Sequence, residues 1–185
     1  MGRDNQRVKD KKILTLITAI DWSKTNFSTI PSNQRKYFER EIYAIVSIEK
    51  SKLPLLKQKF SKLKHIKEIK EDWKKRDYLK KFAEKFDKSI FEFVDYTTSF
   101  DKLIIEFDEN LKDKTELVIV DDHIYNKFVS IFEEKNVLKE GKVRDPQLRR
   151  LCLIADNISN LFRRMRDLYR NASKRIEIAK KIIKR

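Results

Sequence analysis

Apolar residues along this chain fall into short runs that alternate between two periodicities. Lys11 to Asp21 is β-branched and short, which predicts a buried strand ending at Asp21. Glu41 to Glu49 predicts a second strand, Ser89 to Tyr96 a third, and Glu116 to Asp122 a fourth. The fourth has four consecutive apolar residues, as expected of a strand covered on both faces. Between these runs the spacing changes to steps of three and four. Leu53, Leu56, Phe60 and Leu63 predict a helix over 51–64. Trp73, Leu79, Phe82, Ala83 and Phe86 predict a buried stripe on a helix over 72–87. Helices are also expected over 100–111 and 125–134, and a long basic helix over 147–183 with a break near Asn171. Ser23 to Asn33 and Val137 to Asp145 read as connectors. Strands alternating with helices predict an α/β domain with a mixed sheet. Two glycines and three prolines are few for so many turns, so Asn, Asp and Ser must serve in their place.

No internal repeat or domain boundary interrupts the pattern, so 1–185 reads as a single domain. Its core covers about 13–165, and 166–185 form a basic helical extension. The chain is 40% hydrophobic, too apolar for disorder despite 39% charged residues. Cys152, the single cysteine, lies in an apolar stretch and reads as a small core residue, and no cysteine framework or zinc set exists. No apolar run is long enough to span a membrane, so no integral membrane association is expected. Met1 to Lys12 lacks the apolar core of a signal peptide, which makes the cytoplasm the expected compartment. Abundant Lys, Ile, Phe and Glu resemble hyperthermophile usage, although an AT-rich genome also raises Lys, Ile and Phe.

Charge supplies the first functional inference. The net charge is +15, and residues 142–185 carry 14 Lys plus Arg against 4 Asp plus Glu. Such an excess favours a polyanion, with DNA or RNA the expected partner and an anionic membrane surface the other candidate. Arg149, Arg163, Arg164, Arg166, Arg170 and Lys174 are the candidate phosphate contacts, against the alternative of a solvated face. The amphipathic tail Ile176, Ala179, Ile182, Ile183 packs on the domain, on a second subunit in a homo-oligomer, or on a membrane.

Acidic residues occupy informative places within this basic chain. Asp21 ends the first predicted strand, Asp121 and Asp122 end the fourth, and Asp156 lies at the margin of an apolar helical stripe. Sites in open α/β sheets form at the carboxyl ends of strands. Carboxylates that converge there repel one another, and a hard divalent cation, Mg²⁺ or Mn²⁺, removes that penalty. Asp21, Asp121 and Asp156 are therefore candidate metal ligands. The alternatives are a strand-end carboxylate capping a turn for Asp21 and Asp121, and an arginine pair for Asp156. Asp122 reads as an exposed or turn residue, and His123 as a residue near the metal site or at the strand edge.

The order of these segments resembles ribonuclease H-like folds, and within them a widespread uncharacterised family. Asp21-Trp22-Ser23 is similar to that family's Asp-Glu-Ser-Gly element, with Trp22 and Lys24 departing from it. Glu68-Ile69-Lys70 resembles its Glu-Leu-Lys segment, Val120-Asp121-Asp122 its later strand end, and Leu151 to Asp156 its Leu-Gln-Leu-Ala-Asp signature. The resemblance implies a mixed sheet flanked by helices, with Asp21, Glu68, Asp121 and Asp156 as catalytic acids. Glu68 rests on the resemblance, its alternative being a solvated helix-face glutamate. The implied function is a metal-dependent nuclease, with a 3′–5′ exonuclease on single strands as the specific form. A non-catalytic basic nucleic-acid-binding protein and a membrane-surface or protein adaptor are the competing readings.

Overall fold

The computed structural model describes residues 14–132 and 136–185. The charged start Met1 to Lys12, the first residues of the first predicted strand, and the end of the helix predicted over 125–134 lie outside the described residues. Five strands form one mixed sheet: β1 (Leu16–Lys24), β2 (Glu41–Glu49), β3 (Phe93–Thr97), β4 (Thr115–Val120) and β5 (Val137–Lys139). Their order is β3-β2-β1-β4-β5, with β2 antiparallel to β1 and β3, and β4 and β5 parallel to β1. This is the mixed α/β sheet flanked by helices that the ribonuclease H-like resemblance implies.

Strand alternation divides the core into two layers. Ile17 and Ala19 of β1, with Ile42, Ala44, Val46 and Ile48 of β2, face α5 (Pro146–Arg163), α2 (Asp72–Lys85) and the short α1 (Leu55–Lys59). Leu16, Ile20, Tyr43 and Ile45 face α3 (Phe100–Asn110) and α4 (Tyr125–Val129), where Phe107, Phe128 and Phe132 pack edge-on and tilted. Helix α5 starts sharply because Asp145 Oδ1 accepts from the amides of Gln147 (2.8 Å) and Leu148 (2.9 Å), with Pro146 in the first turn. Leu151, Ile154, Ile158 and Leu161 carry its buried face.

Several elements differ from their sequence expectations. The helix expected over 51–64 contracts to α1, whose Leu56 is buried, and Leu53 and Phe60 are buried from the turns on either side of it. Trp73, expected in the stripe of α2, is 65% exposed in the helix's first turn, and the buried stripe begins at Leu79. Val137 to Lys139, read as a connector, pairs with β4 as an edge strand. The long basic C-terminal helix is absent. Its span divides into α5, α6 (Met165–Leu168) and α7 (Ala172–Ile182). Arg164 turns inward at the first break, and Asn171 Oδ1 caps the amides of Ser173 and Lys174 at the second. Ile178 and Ile182 of α7 join the α5-side core, and Lys184 exchanges backbone hydrogen bonds of 2.7 and 2.8 Å with Val94, covering the edge of β3. No described helix is long and apolar enough to cross a membrane.

Candidate functional site

Strand register places one row of acids at one end of the sheet. Ile20 of β1 pairs with Val120 of β4, and Val120 pairs with Lys139 of β5. These three strands run parallel, so the next residue of each, Asp21, Asp121 and Glu140, falls in the same row. The Asp121 amide donates to Ile20 O at 2.9 Å and locks that register. One carboxylate oxygen from each of the three acids lies within 4.8 Å of the others. Asp21 and Asp121 are buried, and Glu140 is half-buried.

Helix α5 contributes Asp156 from above the sheet. Asp21 and Asp156 are joined through Ser159, whose hydroxyl hydrogen-bonds to Asp21 Oδ2 and lies 3.0 Å from Asp156 O. Asp156 is buried and held on both oxygens: Asn160 Nδ2 donates to Oδ1 at 3.1 Å, and His65 Nδ1 lies 3.1 Å from Oδ2. His65 Nε2 is 3.9 Å from Glu140 Oε1, so this one ring spans two of the four acids. Asp121 Oδ1 accepts from the backbone of His123 at 2.8 Å and contacts its ring Nδ1 at 3.0 Å.

The electrostatic consequences follow from this crowding. Burial, and then the charge of Asp156, push the Asp21 carboxyl well above the usual carboxylate range. Asp121 and Glu140 add to that shift, and the Ser159 hydroxyl opposes it. Glu140 is raised by burial and by Asp121. The Asp156 hydrogen bond raises His65 against the opposing effect of burial. Oxygen donors from three acids this close are a hard donor set, suited to Mg²⁺ or Mn²⁺, and a cation would relieve the repulsion that lifts Asp21. The residues present therefore fit a divalent metal.

Glu68 stands apart from the converging oxygens. It is exposed, in the turn at Ile66–Glu68, on the wall of a 620 Å³ cavity that Asp121, Glu140 and Arg149 also line. Glu140, which the sequence does not single out, stands third in the row in place of Glu68. The sequence offers only a weak signal for it: Val137 and Leu138 are apolar, but Lys139 stands before Glu140 where Ile20 and Val120 stand before Asp21 and Asp121. Asp122 is exposed, and its Oδ1 accepts from the Gly141 amide at 3.1 Å, tying the Glu140 turn to the end of β4. A Cβ on Gly141 would lie 2.6 Å from Asp122 Oδ2, so glycine permits the close approach.

A second cavity, of about 320 Å³, is lined by Asp21, Asp121 and Asp156 together with Lys24, Lys67, Lys75 and Arg163. Of the six basic residues singled out in the sequence, Arg149 and Arg163 line these cavities. Arg163 Nη2 donates to Asn160 Oδ1 at 2.9 Å, and burial lowers its pKa to about 10. Arg164 cannot meet a phosphate where it sits. Its guanidinium is buried against Asp72 (3.0 Å) and Asp167 (2.8 Å). Arg166 is exposed near Glu39, Arg170 lies 3.9 Å above the Tyr37 ring, and Lys174 pairs with Glu177. Mixed charge along 62–81 gives no sign in the sequence of which face Lys67 and Lys75 take, and Lys24 reads there as part of the connector after the first strand.

No protein-family model matches the chain, and no curated protein matches it. Among solved structures, the ribonuclease H2 from Pyrococcus horikoshii OT3 aligns with a TM-score of 0.49 and 14% sequence identity, over 88% of this chain and 74% of its own.

Proposed function

We propose that this chain is a divalent-metal-dependent nuclease that hydrolyses phosphodiester bonds of DNA or RNA. The observation that carries the reading is the row of Asp21, Asp121 and Glu140, with oxygens within 4.8 Å where the parallel pairing of three adjacent strands stops, although β1 itself runs on to Lys24 beyond the end expected at Asp21. Asp21, Asp121 and Glu140 would hold the metal, with Asp156 beside Asp21 completing the acidic centre. When bound, Mg²⁺ or Mn²⁺ supplies Lewis acidity toward a phosphoryl oxygen. Lys24, Lys67, Lys75 and Arg163 hold the phosphate backbone over the acids by charge. His65 and Asn160 fix the orientation of Asp156, and Ser159 fixes that of Asp21. In the reaction water attacks phosphorus, one P–O bond breaks, and the departing oxygen takes a proton.

The specific form proposed is a 3′–5′ exonuclease acting on single strands. The test is a time course on 5′-labelled DNA and RNA oligonucleotides with Mg²⁺ or Mn²⁺, beside Asp121→Asn. Stepwise shortening from the 3′ end, lost in the variant, is expected. Internal cuts at the earliest times would replace exonuclease by endonuclease. Cleavage unchanged in Asp121→Asn would remove the acidic centre from the reaction.

A non-catalytic nucleic-acid-binding role is the second reading. It is favoured by the compensation already within the site, where His65 sits on Asp156 and Arg163 is drawn toward the same acids. It predicts salt-sensitive oligonucleotide binding, no cleavage, and no change on adding a divalent metal.

A further inference from the structure

Two aromatic rings border the acidic row, and the reaction chemistry leaves them unused. Trp22 directly follows Asp21 in β1, and His123 is two residues beyond Asp121. Their ring centroids are 5.4 Å apart at an interplanar angle of 50°. Each ring is anchored by a carboxylate: Trp22 Nε1 donates to Glu41 Oε2 at 3.4 Å, and His123 Nδ1 contacts Asp121 Oδ1 at 3.0 Å. The pair is therefore oriented before any ligand arrives. Trp22 is half-buried with its inner part against the α3-side core, while the His123 side chain is 65% exposed. Both rings line the same cavity as Asp21, Asp121, Asp156 and the cations Lys24, Lys67, Lys75 and Arg163.

We propose that Trp22 and His123 form a stacking platform for an unpaired nucleobase of the nucleotide whose phosphate lies over the acids. This rests on the nuclease reading and names the substrate conformation that the site takes. Cations that line a cavity hold a backbone without regard to base. An aromatic face beside them adds a contact that every base can make. In a duplex both faces of a base are already stacked on its neighbours, so the platform favours single strands and frayed ends. Both rings keep surface on the cavity, and the polar, exposed His123 makes the outer wall wettable when no base is present.

The experiment uses the full chain carrying Trp73→Phe. Trp73 is exposed and lines neither cavity, and Trp22 is then the single tryptophan. The protein is titrated in EDTA with an octathymidylate, an octauridylate, and an eight-unit abasic oligomer. Tryptophan fluorescence and the anisotropy of a labelled strand are read together. Saturable quenching by base-bearing strands, with the midpoint given by anisotropy, is expected, as is no quenching by the abasic strand. Trp22→Leu should weaken base-bearing strands by a few-fold to about a hundredfold and leave the abasic strand unchanged, and Trp22→Phe should restore most of the affinity.

Binding without quenching, or equal weakening of all three strands by Trp22→Leu in a protein with unchanged circular dichroism, overturns the platform. Either result leaves the nuclease reading standing if Asp121→Asn still abolishes cleavage. Quenching without cleavage under any metal sinks the nuclease reading alone. No binding of any strand, together with no cleavage under any metal, sinks both.

Discussion

Replacing Asp21 by Asn should make the metal-free protein more stable. Asp21 is 4% exposed, and its neighbours Asp121, Glu140 and Asp156 are all acids. Two unit charges 4.8 Å apart repel by about 3.5 kcal/mol at an effective dielectric of about 20. The Ser159 hydrogen bond and proton uptake offset much of that repulsion, which leaves a net gain of roughly 1–3 kcal/mol on neutralisation. Asparagine keeps the shape, and its oxygen can still accept from Ser159. For a chain of this size that gain raises Tm by about 3–10 °C. The pH dependence has a defined sign. Burial and Asp156 raise the folded-state pKa of Asp21 above its unfolded value, so the fold favours the protonated carboxyl. Wild-type stability therefore falls as pH rises from about 3.9 through the folded pKa, and the gap between variant and wild type widens over that window. The assay is thermal unfolding in EDTA at pH 4 and pH 8, then at pH 8 with Mn²⁺. Wild type should gain stability from the metal, by about 2.7 kcal/mol at a hundred times Kd, and Asp21→Asn should gain little. A variant less stable than wild type at pH 8 in EDTA would refute the reasoning, because the carboxylate would then be satisfied within the protein.

Other perturbations probe separate parts of the account. Arg164→Leu should destabilise by about 3 kcal/mol in urea unfolding, since buried Asp167 loses its closer cation and keeps only Arg76, 3.5 Å away. The effect on oligonucleotide affinity should be small by comparison, in contrast to Arg163→Leu. Gly141→Ala should displace Asp122 and loosen the Glu140 turn, costing about 1 kcal/mol for the strained hydrogen bond and weakening Mn²⁺ binding by calorimetry. Lys67→Ala and Lys75→Ala should each reduce the slope of log affinity against log salt by about 1, with no preference among oligonucleotide sequences.

The strands were legible where apolar β-branched runs were long. Ile17 to Ile20 and Val118 to Val120 marked β1 and β4, and the acid after each run showed where a site could form. Strand β5 was not legible, because three residues at a sheet edge need little apolar character and Gly141 read as a loop signal. With it Glu140 was missed, although register alone places it beside Asp121. Asp156 could be read from its position at the margin of the α5 stripe, but its hold on His65, some ninety residues away, belongs to tertiary packing. Trp73 shows the opposite failure: helical spacing assigns it to a stripe, but only the extent of the neighbouring layer decides whether the first turn is covered. The C-terminal arginines gave a correct excess of charge and a poor guide to direction. Arg164 turns inward because Asp72 and Asp167 wait there, while cavity lysines far earlier in the chain face the acids.

The central claim is that the row Asp21, Asp121 and Glu140 binds a divalent metal for phosphodiester hydrolysis. The most direct measurement is Mn²⁺ titration by calorimetry on wild type, Asp121→Asn and Glu140→Gln, with cleavage of a labelled oligonucleotide followed on the same samples. The account predicts saturable Mn²⁺ binding by wild type, its loss or marked weakening in both variants, and a parallel loss of cleavage. Mn²⁺ binding and cleavage that survive both substitutions would contradict it.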